Sequence, residues 1–197
     1  MHRLRQLWHL PFGMENPNLF VITGGPGSGK TTVLLELQKR GFRFAAEVAR
    51  QIIQEQVRDG GSAVPWGNRE RYTSLMLQRS IESYLQHTPA AEKTFADRGI
   101  PDSLCYARLI RLEDESKIRE ACDLYRYAKR VFLAPAWREI YETDTERKQD
   151  VAEAVRTAEV MARVYEEYGY EVMELPKASV AERADFILKH ISQTPLT

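Results

Sequence analysis

Residues 24–31 read Gly24-Gly25-Pro26-Gly27-Ser28-Gly29-Lys30-Thr31, which matches the spacing GxxxxGK[ST] without a gap. Small residues let the chain wrap a phosphate group, so that successive backbone N–H groups point inward. A helix that follows adds the positive end of its dipole. Lys30 is placed to reach the β- and γ-phosphates of ATP or GTP, and the Thr31 hydroxyl to coordinate Mg²⁺. The expected nucleotide-contacting set is Gly24 to Thr31 together with Thr32. Two other glycine motifs fail here. A dinucleotide fingerprint on Gly25 and Gly27 needs a small residue where Lys30 stands, and a nucleophile elbow around Ser28 needs glycines at Pro26 and Lys30.

Other charged residues fall where they could serve such a loop. Asp97 closes the apolar run Thr94-Phe95-Ala96-Asp97. A carboxylate there can hold the Mg²⁺ shell or accept a proton, and it can equally cap the next turn. Arg98 follows it, as a clamp for a substrate hydroxyl or phosphate, or as a surface ion pair. Glu47 follows a second strand, with Arg50 one helical turn on, and together they would face the acceptor side of the cleft. Arg138 and Arg147 lie in a charged stretch after another strand, where arginines could close over a transferring phosphoryl group as a lid. The expected catalytic set is therefore Lys30, Glu47, Asp97, Arg98, Arg138 and Arg147. Glu47, Arg50 and Arg98 are the expected substrate contacts, and Thr31 and Asp97 the metal ligands.

Strand-like runs at 19–23, 42–46, 94–97, 130–134 and 170–175 alternate with helical patterns at 32–40, 50–57, 68–87, 103–128, 146–168 and 180–191. Asn68 is a plausible N-cap, Pro101 can start a helix at N1 with Asp102 in its first turn, and Gly41 and Gly169 close helices. Such alternation predicts an α/β, three-layer protein around a parallel sheet covered on both faces. The intervals 50–90 and 100–128 exceed simple crossovers and are expected to form a helical cap over the carboxyl edge, with a lid at 136–150. Aromatic residues within them (Trp66, Tyr72, Tyr84, Tyr106) read as core before substrate platform. Residues 1–17 read as an arm without fixed structure, with Met1 and Met14 both possible starts. Residues 18–191 read as a single domain and 192–197 as a frayed tail.

The composition excludes several classes. Across 197 residues, 28 Lys and Arg balance 28 Asp and Glu, so no basic excess marks a nucleic-acid or anionic-membrane binder. No apolar run approaches the ~18 residues a membrane span needs, and no secretory h-region appears near the first residues. Cys105 and Cys122 make no disulfide framework, and without CxxC or clustered histidines there is no zinc site. The expectation is a cytoplasmic protein, monomer or homodimer, whose partners are a nucleoside triphosphate and a small polar acceptor.

The loop at 24–31, the run Glu-x-x-Arg-x-Ile-Ile from Glu47, Asp-Arg-Gly-Ile-Pro-Asp at 97–102 and Phe-Leu-Ala-Pro-Ala-Trp-Arg-Glu-Ile-Tyr from Phe132 resemble a bacterial P-loop family. Its members are labelled AAA-domain ATPases. The wider group includes the ribosylnicotinamide kinase domain and is similar to nucleoside and nucleotide kinases. Over about residues 18–190, the resemblance implies a P-loop NTPase fold of adenylate-kinase type, with five parallel strands in the order 2-3-1-4-5. It also implies that residues matching Glu47 and the Asp97-Arg98 pair handle the acceptor hydroxyl and the metal. The chain departs from AAA⁺ mechanoenzymes, because Arg98 stands where a water-activating Glu follows the Asp. The activity so implied is Mg²⁺-dependent transfer of a γ-phosphoryl group to a small molecule. Two alternatives stay open: a nucleotide hydrolase, and a nucleotide-gated binding module for a protein or lipid.

Overall fold

A computed structural model describes residues 13–137 and 151–192. In chain order the elements are β1 (Met14–Glu15), β2 (Leu19–Gly24), α1 (Lys30–Lys39), β3 (Arg43–Ala45), α2 (Val48–Arg58), α3 (Arg69–Gln86), β4 (Thr94–Asp97), α4 (Ile100–Leu109), α5 (Ser116–Leu124), β5 (Tyr125–Arg126), β6 (Arg130–Ala134), α6 (Val151–Glu167), β7 (Glu171–Glu174) and α7 (Val180–Ser192). Five of the strands form one parallel sheet in the spatial order β3-β4-β2-β6-β7. Counted in sequence over that sheet alone, the order is 2-3-1-4-5.

The central strand explains the layering. All six residues of β2 are buried, and its side chains alternate between two cores. Leu19 and Val21 point toward a cluster with Leu104, Met161 and Tyr165, whereas Phe20 and Ile22 point toward Val33, Leu37 and Ile187. Helices α4 and α6 thus cover one face, and α1 and α7 the other. The chain leaves β2 for β3 on one side and later returns to β6 on the other. That reversal opens a crevice at the carboxyl end of β2, where the phosphate loop and Asp97 both lie.

Several expectations change in detail. The helix expected over 32–40 begins at Lys30 and the one expected over 50–57 spans Val48–Arg58, because Gly29 and Glu47 take the cap positions. Asn68 caps α3 as expected, its side-chain oxygen accepting from the Arg71 N–H at 2.9 Å. Pro101 stands second in α4, after Ile100. In the interval 100–128, α4 is buried against α3, α5 and α6 while bringing Tyr106 and Leu109 to the cavity lining, and the stretch ends in a strand. That strand, β5, pairs in parallel with β1, so Met14 and Glu15, within the stretch expected to be an arm, are held by the fold. Asn16 is 2% exposed and donates to the His87 carbonyl at 2.9 Å, while the Tyr84 hydroxyl donates to the Met14 carbonyl at 2.6 Å. Residues 1–12, most of the expected lid including Arg138 and Arg147, and 193–197 lie outside the described residues. Among the described residues, no helix is long and apolar enough to cross a membrane.

Candidate active site

The phosphate loop follows from two glycine positions. Gly24 has φ +142°, and a Cβ there would lie 2.4 Å from the Ala134 carbonyl oxygen, so only glycine lets β6 pass this close. Gly29 has φ +76° and stands at the N-cap of α1 with no side chain to engage the first-turn amides. Those amides are left for an anion. Lys30 is buried, and its Nζ donates to the carbonyls of Gly24 and Gly25 at 3.0 and 2.9 Å and to Ser28 Oγ at 3.3 Å. The ammonium therefore sits within the loop's own ring of oxygens. Thr31 and Thr32 are exposed, and the Thr32 hydroxyl donates to the Gly29 carbonyl at 2.7 Å.

Beside the loop lies a buried ionic cluster. Asp97 ends β4 in register with Ile22 of β2. Arg98 turns the chain at φ +73°, a strained conformation for a side-chain-bearing residue, and its N–H donates to the Ile22 carbonyl at 3.0 Å. The turn aims the guanidinium so that Nε donates to Glu47 Oε1 at 2.9 Å and Nη1 to Asp102 Oδ1 at 3.1 Å. Asp102 also accepts from the hydroxyls of Thr23 and Tyr165, each at 2.6 Å, and from the Gly99 N–H at 2.9 Å. One carboxylate thus ties β2, α4 and α6 together and holds Arg98 toward Glu47.

Burial pulls the Arg98 proton affinity down, but the carboxylates of Glu47, Asp102 and Asp97 outweigh it and hold it above the ordinary value. Asp97 is 6% exposed, and its Oδ1 has no hydrogen-bond partner. Burial pushes its carboxyl up to about 6; Lys30 and Arg98 oppose the rise, while Glu47 and Asp102 add to it.

A cavity of about 640 Å³ opens against this cluster. Pro26 of the phosphate loop, Glu47, Arg50, Arg98 and Asp102 form one side. The aromatic residues Trp66, Tyr72 and Tyr106 also line the cavity, the Tyr72 and Tyr106 rings meeting edge-to-face at 5.2 Å, as do Arg69 and Glu153. Glu47, Arg50 and Arg98, the expected substrate contacts, thus line one cavity. Asp97 stays behind them, facing a separate space of about 20 Å³ shared with Ser80 and Tyr84, enough for a single water. Asp102 is the site residue that sequence reasoning misses: it looks like a first-turn acid, although the second carboxylate of Asp-Arg-Gly-Ile-Pro-Asp is a visible signal. The four aromatics divide, which corrects the reading of them as core. Tyr84 is core, Tyr72 is buried but reaches the cavity, and Trp66 is 61% exposed on its rim. Among the described residues, no group of three or more His, Cys, Asp or Glu could hold a metal ion, so a cation would need the loop and a phosphate chain to complete its shell.

Residues 19–183 match the sequence profile of a family described as AAA domain, which is most of the chain. The chain belongs to the AAA domain family. No curated protein matches this AAA domain in sequence. Among solved structures it is similar to NadR protein in complex with NR, with a TM-score of 0.69 and 18% identity, over 91% of this chain and 53% of that one. It therefore spans about half the length of the NadR chain. It is also similar to deoxyadenosine kinase from M. mycoides with dCMP and dCDP (TM-score 0.59, 14% identity, 89% and 100% of the two chains). A third likeness is to shikimate kinase from Acinetobacter baumannii with shikimate (0.54, 16%, 91% and 96%). At these identities the likeness is one of fold, and the fold is that of P-loop kinases.

Proposed function

We propose that this AAA domain is a Mg²⁺-dependent phosphotransferase that moves the γ-phosphoryl group of ATP or GTP to a small polar acceptor. One observation carries the reading: a single cavity of about 640 Å³ is lined by Pro26 of the phosphate loop, by Glu47 and Arg98, and by the aromatic residues Trp66, Tyr72 and Tyr106. A volume in the metabolite range, with few convergent polar groups, suits a second substrate held beside the first. A hydrolase has no need of it.

The loop amides and Lys30 bind the β- and γ-phosphates. Thr31 and Asp97 offer the hard oxygen donors that Mg²⁺ prefers, and the partnerless buried Oδ1 of Asp97 fits a role beside a cation. When bound, the ion neutralises charge building on the phosphate oxygens. Glu47 lines the cavity and Asp97 does not, which favours Glu47 as the acceptor-side carboxylate. Glu47 orients the acceptor hydroxyl and takes its proton as the new oxygen–phosphorus bond forms and the bond to the nucleoside diphosphate breaks. Arg98 holds Glu47 in place, and Asp102 holds Arg98. Trp66 and Tyr106 take the flat or apolar part of the acceptor, and Arg50 its polar groups.

The test is a transfer assay with purified protein, Mg²⁺, γ-labelled ATP or GTP, and a panel of nucleosides, nucleotides and hydroxylated metabolites. Label passes to an acceptor, and the transfer falls to background in Lys30→Ala. Phosphate release at one steady rate, whatever acceptor is added, overturns the reading in favour of hydrolysis.

A further inference from the structure

Arg183 sits in the first turns of α7, which packs against α1, and it is not among the residues that line the cavity. Its position is set locally. Ser179 and Glu182 form a reciprocal cap, with Ser179 N–H donating to Glu182 Oε2 at 3.0 Å and Glu182 N–H to Ser179 Oγ at 3.3 Å. The cap fixes where α7 begins, and Arg183, next in sequence, faces inward at 2% exposure. Its Nη2 donates to the Ser28 carbonyl at 3.0 Å, its Nε has no partner, and among the described residues no carboxylate pairs with it. Burial alone moves its proton affinity, downward.

A buried guanidinium without an acid is unfavourable, and an apolar side chain of similar length would fill the space at less cost. Two features of the loop give it a purpose. A peptide's C=O and N–H point in opposite directions. Gripping the Ser28 carbonyl from outside therefore turns the Gly29 N–H toward the phosphate side. The charge, meanwhile, lies on the opposite side of a thin loop from where a polyanion would bind, in surroundings that screen it little.

We propose that Arg183 is a positioning residue for the phosphate chain: it fixes the Ser28–Gly29 peptide and adds positive potential behind the loop. The proposal rests on the reading of residues 24–31 as a triphosphate cradle.

Calorimetric titrations of wild type, Arg183→Met and Arg183→Lys with MgATP, and with inorganic tripolyphosphate as a phosphate chain lacking base and sugar, test it. The Met variant loses about tenfold or more in affinity for both ligands, as expected for one charged hydrogen bond. Its ligand-free melting temperature is unchanged or higher, because an unpaired buried charge has gone. The Lys variant recovers most of the affinity. If the Met variant does not fold, Arg183→Gln, a shorter side chain that keeps a polar donor without the charge, shows the loss instead. Affinity within twofold of wild type in the folded neutral variant overturns the proposal and leaves the nucleotide reading standing. Absence of binding by wild type overturns both.

Discussion

The two halves of the site are built on different plans. The phosphate half is eight consecutive residues, and its geometry comes from backbone: glycines at positive φ, an uncapped helix start and a lysine folded into its own loop. The acceptor half is assembled from side chains of Glu47, α2, the loop that carries Trp66, α3, α4 and α6, joined through Arg98 and Asp102. A backbone cradle tolerates little change and recognises a charge pattern common to every nucleoside triphosphate. A side-chain cavity can be re-lined without disturbing the sheet beneath it. On the proposed function, the first half fixes the class of reaction and the second fixes the acceptor.

Substitutions across this divide should part in kind. Asp97→Asn should have the largest effect, lowering transfer about a hundredfold or more, as loss of a charge-stabilising group does. The same change should stabilise the ligand-free protein at neutral pH. A carboxyl whose folded-state value is raised to about 6, above the ordinary 3.8, loses stability as pH climbs between those values. Melts from pH 3 to 8 should show Asp97→Asn above wild type by about 5 °C beyond pH 6, with the gap closing below about pH 4. A variant that melts lower at pH 8 would contradict the reading of Asp97 as a strained functional acid.

Glu47→Gln should come next. Transfer falls about tenfold to a hundredfold, while the affinity for MgATP by calorimetry stays within about twofold. A matching fall in both would move Glu47 to the nucleotide half. Trp66→Ala should be the smallest effect, raising the acceptor KM about tenfold and leaving kcat and nucleotide affinity close to wild type. Should KM stay fixed for every acceptor that works, the aromatic lining is not a recognition surface.

This division also decides what could be read in advance. The phosphate loop was legible because its whole specification is contiguous. Strand β4 and β6 boundaries were legible too, since each is a short β-branched or aromatic run stopped by an acid or a proline. The acceptor half was legible only at Glu47, Arg50 and Arg98, which sit one step past strand ends. Trp66 and Tyr106 are 40 residues apart in sequence, and nothing local to either says that they meet at one cavity. Asp102 looked like an ordinary helix-start acid, because its partners Thr23 and Tyr165 lie 79 and 63 residues away. The pairing of β1 with β5 was missed for a related reason: two-residue strands carry no periodic signal.

Calorimetric titration of the purified protein with MgATP and MgGTP, against Lys30→Ala, tests the central claim most directly. Heat of binding with at least one of the two nucleotides, abolished by removing the Lys30 ammonium, is the predicted result. No heat with either nucleotide, or heat that survives Lys30→Ala undiminished, would contradict the account at its base.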